Sequence, residues 1–144
     1  MKLSEIVNKT ADVVYHCTNY EAAVNILNHD YFRSTKGKTL KGLSTTTDKN
    51  YFWGSSDVRF VLDLDKLKKD YKIEETDEQL KSGGNHLDES ELVVVSDGAI
   101  TSAHKYIIEI QHTPKKSLEH GALFRALEPY CEKYNIKYSV LQKD

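Results

Sequence analysis

The sequence predicts an α+β domain built on short strands. Many stretches of a few residues alternate apolar and polar side chains or run almost wholly apolar, while only a few segments show helical spacing. No internal repeat and no low-complexity segment interrupts them. At 144 residues, one domain spanning 1–144 is long enough to bury a real core. The expected arrangement is two small packed sheets with flanking helices.

Leu3 to Lys9 is a candidate short helix. Asp12 to Cys17 reads as a strand, with Val13, Tyr15 and Cys17 on one face and Val14, His16 and Thr18 on the other. Thr18-Asn19-Tyr20-Glu21 matches a capping box with Thr18 as cap. The helix it opens carries Ala22, Ala23, Ile26 and Leu27 at core spacing. Tyr31 to Ser34 is a short strand, followed by a lysine- and glycine-rich loop to Lys41. Leu43 to Thr46 is the next strand, with Ser44 and Thr46 sharing a face.

Asp48 to Gly54 is an aromatic-rich turn, and Val58 to Asp63 a strong strand. Asp65 to Lys69 reads as a helical turn, and Tyr71 to Ile73 as a brief strand. Glu74 to Asp88 is acidic and polar with a Gly83-Gly84 pair, the mark of a long exposed loop; loops of that length are disordered or functional. Glu89 to Val95 and Lys105 to Ile110 are strands. Pro114 leads into a helix through Leu118, Leu123, Leu127 and Tyr130, and Ile136 to Leu141 closes the chain as a strand.

Composition narrows the function classes. With 39% hydrophobic and 29% charged residues the chain is ordinary for a soluble globular protein, and its formal net charge of -2 offers no electrostatic argument for nucleic acid. Lysine and arginine gather at Arg33, Lys36, Lys38 and Lys41, and at Lys66, Lys68 and Lys69, which reads as solvated faces. Cys17 and Cys131 are too far apart in sequence to form a Cys-x-x-Cys, and the six histidines form no i, i+4 pair, so no metal site is expected. The first residues lack the apolar run of a signal peptide, and no stretch is long enough to span a bilayer. The expectation is a reduced, intracellular protein without membrane contact, in which the Asn8-Lys9-Thr10 sequon is coincidental. Gly37-Lys38-Thr39 is not a phosphate loop, because Phe32 stands where that motif needs glycine.

Three polar motifs stand out against this background. Glu89 and Glu91 share a face at the mouth of a strand that ends in Val93, Val94 and Val95. Two carboxylates there are either surface residues or groups emerging from a core into a cleft, where pKa values shift. Ser44, Thr45 and Thr46 are β-prone hydroxyls that could also fix a glutamate rotamer. His16 and Thr18 make a small polar patch between apolar neighbours. Tyr51, Phe52 and Trp53 read as core aromatics or as a stacking surface for a planar ring.

In this order, Tyr15-His16-Cys17-Thr18, Leu43-Ser44-Thr45-Thr46-Thr47-Asp48 and Glu89-Ser90-Glu91 resemble the motifs of the ADP-ribosyltransferase superfamily. The likeness to small transferase-like proteins of phage and bacterial genomes runs from Leu43 through Gly54, Asp57 to Asp63, and on to Lys105-Tyr106-Ile107. The resemblance implies an ADP-ribosyltransferase-like fold with an NAD cleft and an NAD-dependent mono-ADP-ribosyltransferase, with no metal. It implies that His16 and Thr18 hold the NAD ribose or adenosine side. Ser44, with Thr45 and Thr46, orients Glu91. Glu91 is the catalytic glutamate on the nicotinamide ribose, and Glu89 faces the acceptor. Tyr51 and Trp53 would stack on a ring of NAD, and Glu74 to Asp88 would recognise substrate.

The acceptor implied is a host macromolecule, protein rather than nucleic acid, in the cytoplasm of a cell that a phage-encoded protein enters. Family members with Glu-x-Glu commonly begin with an arginine on the first strand, where this chain has His16. A second reading is a catalytically inactive binding module, for instance an inhibitor of a host defence protein. An NAD glycohydrolase and an RNA 2′-phosphotransferase are further alternatives.

Overall fold

The computed structural model describes residues 12–36, 40–49, 57–75, 91–113 and 118–140. The expected helix at Leu3 to Lys9, the Gly37 to Thr39 stretch, the Tyr51-Phe52-Trp53 cluster, most of the Glu74 to Asp88 segment, Glu89 and Pro114 lie outside those residues.

The chain is α+β, as its strand and helix periods predict. In order it forms β1 (Val13–Thr18), α1 (Tyr20–His29), β2 (Tyr31–Phe32), β3 (Thr35–Lys36), β4 (Lys41–Thr46), β5 (Val58–Asp63), α2 (Leu64–Asp70), β6 (Lys72–Glu75), β7 (Glu91–Val95), β8 (Ile100–Thr101), β9 (Ile107–His112), α3 (Leu118–Tyr134) and β10 (Lys137–Val140). The strands form an eight-stranded sheet in the order β10-β9-β5-β1-β4-β7-β6, with β3 paired to β4, and a two-stranded sheet, β2-β8. Pairing is antiparallel except where β10 lies parallel to β9, reached through α3.

Two separate small sheets were the expectation; one larger sheet with a weak seam is what forms. β1 pairs with β5 over six residues and β4 pairs with β7 over five, but β1 meets β4 only at Tyr15 and Thr46. Each half is well laddered, and a single residue pair joins them.

Local chemistry corrects several boundaries. The cap of α1 is Asn19, whose side chain accepts from the Ala22 N–H at 2.8 Å. Thr18 is unavailable as cap because it is paired with Val58 in the β1–β5 ladder. Thr35–Lys36 pairs with β4 where a loop was expected, and Glu74 and Glu75 belong to β6, held against Val93 and Leu92. β8 is a two-residue strand too short to show a usable period, while its partner β2 falls within the expected Tyr31 to Ser34 strand. Before β9 the chain makes a 3-10 turn, Ala103–Lys105, in place of the predicted strand start.

The core lies on the face where α1 and α3 cover the sheet. Register puts Val14, His16 and Thr18 opposite Leu62, Phe60 and Val58, so these share that face. Val14, Phe32, Phe60, Leu62, Ile110, Leu123 and Leu127 are fully buried in one cluster. Phe32 and Phe60 meet edge to face at 5.5 Å, a geometry worth about 0.5–1.5 kcal/mol beyond area burial. Burial of Ala23, Ile26 and Leu27 on α1 follows from their three-and-four spacing.

Gly42 shows why β4 and β7 approach so closely. A Cβ there would sit 2.0 Å from the Val94 carbonyl oxygen, so only glycine permits the pairing that carries Ser44 to Glu91.

Candidate functional site

The site is built at the seam. β1 supplies His16 from the core face, β4 supplies Ser44, and β7 supplies Glu91 from its first position. With the ladder reduced to one pair, His16 itself spans the gap: its Nδ1 lies 2.9 Å from the Ser44 carbonyl oxygen. A carbonyl can only accept, so Nδ1 carries the proton and Nε2 presents a bare lone pair. The ring rests edge-on against Phe32 at 5.7 Å and beside Phe60 at 6.5 Å. Desolvation among these groups holds the imidazole pKa below its ordinary value, and the bond to Ser44 offsets only part of that. At neutral pH the ring is an uncharged acceptor.

The Ser44 hydroxyl donates to a Glu91 carboxylate oxygen. Register explains the contact: Ser44 stands opposite Val93 and Thr46 opposite Glu91, which makes Ser44 and Glu91 diagonal neighbours on one face. One residue therefore links the imidazole, through its carbonyl, to the carboxylate, through its hydroxyl.

A cavity of about 340 Å³ opens between the seam and α1. It is within the volume range of small-molecule sites. His16, Thr18, Leu43 and Ser44 line it from the sheet, Ala22, Asn25 and Ile26 from α1, and Tyr31, Phe32 and Arg33 from β2 and the residue after it. His16, Thr18 and Ser44 are thus brought together as predicted positions. Glu91 touches Ser44 but is not among the described residues of the lining.

Thr45 and Thr46 lie elsewhere. Both are buried; the Thr45 hydroxyl donates to the Leu92 carbonyl at 2.6 Å, and the Thr46 hydroxyl accepts the Asp48 N–H at 3.1 Å. They hold β4 to β7 and shape the turn that follows β4. Tyr51, Trp53 and Glu89 lie outside the described residues.

Arg33 and Asn25 enter the site without having been singled out. Arg33 read as part of a basic surface cluster, yet it is the only formally charged side chain in the described lining, and it makes no ion pair among the described residues. Asn25 falls on the α1 stripe with Ala22 and Ile26, and a polar residue on an otherwise core-directed stripe is a readable signal.

On the other face of β1, Arg59 is buried. It lies over the Tyr15 ring at 4.6 Å, donates to Gln111 at 2.7 Å and holds the Lys49 carbonyl at 2.5 Å. That last bond ties down the turn after β4.

Among the described residues no cluster of three or more histidine, cysteine or acidic side chains is placed to hold a metal ion, and no helix is long and apolar enough to cross a membrane. Compared with known proteins, the chain matches no family model and no curated sequence.

The lining offers an acceptor at the neutral His16 Nε2, donors or acceptors at Thr18 and Asn25, apolar surface at Phe32 and Ile26, and a cation at Arg33.

Proposed function

We propose that this protein binds NAD in the seam cavity and transfers ADP-ribose to a macromolecular acceptor, a protein rather than a nucleic acid. The observation that carries the reading is the chain His16–Ser44–Glu91, in which one serine joins a neutral histidine at the cavity to a carboxylate at a strand mouth. The order of the three motifs in the sequence supports the same reading.

In this reading His16 accepts a hydroxyl from a ribose, and Arg33 sits against the pyrophosphate. Ser44 holds the Glu91 carboxylate in one rotamer. Glu91 takes the 2′-hydroxyl of the nicotinamide ribose. When the C1′–N bond breaks, its electron pair leaves with neutral nicotinamide and positive charge develops on the ribose ring. A fixed carboxylate beside that charge stabilises the transition state more than the ground state. Glycosidases meet the same oxocarbenium problem with carboxylates. The acceptor nucleophile then bonds to C1′ and gives up its proton.

Glu91 standing beyond the cavity lining favours a second reading: a nucleotide-binding module that retains the pocket without transfer. Incubation with NAD labelled in the adenosine part, in cell lysate, separates the two. Release of nicotinamide together with labelled protein is expected. Calorimetric NAD binding without nicotinamide release overturns the transferase reading in favour of the module, and free ADP-ribose as sole product assigns a glycohydrolase. Absence of NAD binding removes both.

A further inference from the structure

A second cavity, of about 320 Å³, lies between the C-terminal end of α1 and α3. The reading of the seam site makes no use of it. Arg125, Pro129 and Lys133 follow one another at four-residue spacing and line it as a single stripe of α3. Glu128 and Glu132 flank that stripe and are not among the described lining residues, so the charged side chains that α3 brings to the groove are Arg125 and Lys133.

The one carboxylate in the described lining is already engaged. Asp30 accepts from the Tyr130 hydroxyl at 2.6 Å and the His104 N–H at 2.9 Å on one oxygen, and meets His104 Nδ1 at 2.5 Å on the other. Arg125 and Lys133 make no ion pair among the described residues. Lys133 lies over the Tyr134 ring at 5.2 Å. The groove is thus net positive on a chain whose formal charge is -2.

Asp30 closes α1 in the left-handed conformation of a helix C-cap, with its N–H on the Ile26 carbonyl at 2.7 Å. Pro129 sits inside α3 between the two cations of the groove.

We infer that the α1–α3 groove docks an acidic, extended peptide segment of a partner protein. An acidic peptide brings carboxylates for Arg125 and Lys133. Tight binding to a nucleic acid backbone needs a longer basic track than two cations roughly 12 Å apart along one helix. The inference stands independently of the NAD reading. It places the partner beside the seam cavity all the same, because His29 of the groove and Tyr31 of that cavity have ring centroids 5.4 Å apart.

Fluorescence anisotropy with labelled hexaglutamate tests it, with labelled hexathymidylate as the competing probe. Wild-type protein is expected to bind hexaglutamate, with about tenfold weaker binding in R125E/K133E. K66E/K68E, which makes the same charge change on exposed positions of α2, is expected to stay within about twofold. R125Q/K133Q repeats the comparison with a milder change should the reversal disturb folding, read by circular dichroism. No hexaglutamate binding, equal losses in both reversals, or preferential binding of hexathymidylate overturns the inference.

Discussion

The His16 imidazole donates to the Ser44 main-chain oxygen across 2.9 Å where the β1–β4 ladder thins to a single pair. A side chain does there what a backbone N–H does elsewhere in the sheet. The same bond fixes the tautomer, so the structural role on Nδ1 and the ligand-facing role on Nε2 are chemically coupled.

His16→Asn and His16→Ala separate those roles. The asparagine amide can donate from near the Nδ1 position, so H16N should lose less than about 1 kcal/mol of stability. H16A leaves the Ser44 carbonyl without this donor and should lose about 1–3 kcal/mol. Both remove the Nε2 acceptor and should weaken NAD binding about tenfold or more. Urea denaturation and calorimetry on the same samples check this; unchanged NAD affinity in both variants would take His16 out of the ligand site.

Glu91→Gln should abolish transfer and NAD hydrolysis alike, with a loss on the order of 10²–10³ in rate. Ser44→Ala should act through the same carboxylate, so the double variant should be no slower than E91Q alone. Glu89→Gln should impair transfer while sparing some hydrolysis, since water can still trap the cation. Nicotinamide release and labelled acceptor, measured side by side, distinguish these outcomes; equal and mild losses at Glu89 and Glu91 count against the assigned roles.

Arg33→Ala should weaken NAD by about tenfold to a hundredfold, the scale of a charge-assisted hydrogen bond. Nicotinamide riboside, which has no phosphate, should bind the variant and the wild type equally. A matched loss for both ligands would show that Arg33 shapes the cavity and does not read charge.

pH dependence follows from the depressed pKa of His16. In the unfolded chain the imidazole titrates near 6.5, whereas the folded protein resists that proton. The stability that His16 contributes is complete above about pH 6.5 and is lost as pH falls below it, because the unfolded state then binds more protons. NAD affinity should hold at the upper end of that range and decline only at lower pH, where the folded imidazole itself takes the proton and loses its Nε2 lone pair. Denaturation midpoints at pH 7.5 and 5.5 should differ less in H16N than in wild type; identical pH slopes would contradict this.

Local pattern is legible in the chain wherever a period of two or 3.6 meets one buried face. Val58–Asp63 is predicted to the residue, and the α1 core positions Ala23, Ile26 and Leu27 follow from spacing alone. Glu91 and Ser44 also carry their faces in the sequence, because alternation places a side chain before any partner is known. Those periods determine the α+β class, the longer elements and the candidate residues on each face.

Tertiary structure decided what the halves of the sheet do together. His16 and Ser44 are 28 residues apart and Ser44 and Glu91 are 47 apart, so their contacts depend on strand order and register. One expected cap moved from Thr18 to Asn19 because a distant strand claimed Thr18 first. Arg33 is exposed, as the basic cluster predicts, and only the fold shows that it also lines a cavity. The same holds for Asp30, whose carboxylate joins His104 and Tyr130 across 74 and 100 residues. A local period reports which way a side chain faces; only the closing of long loops, with its entropy set against burial, determines what it meets.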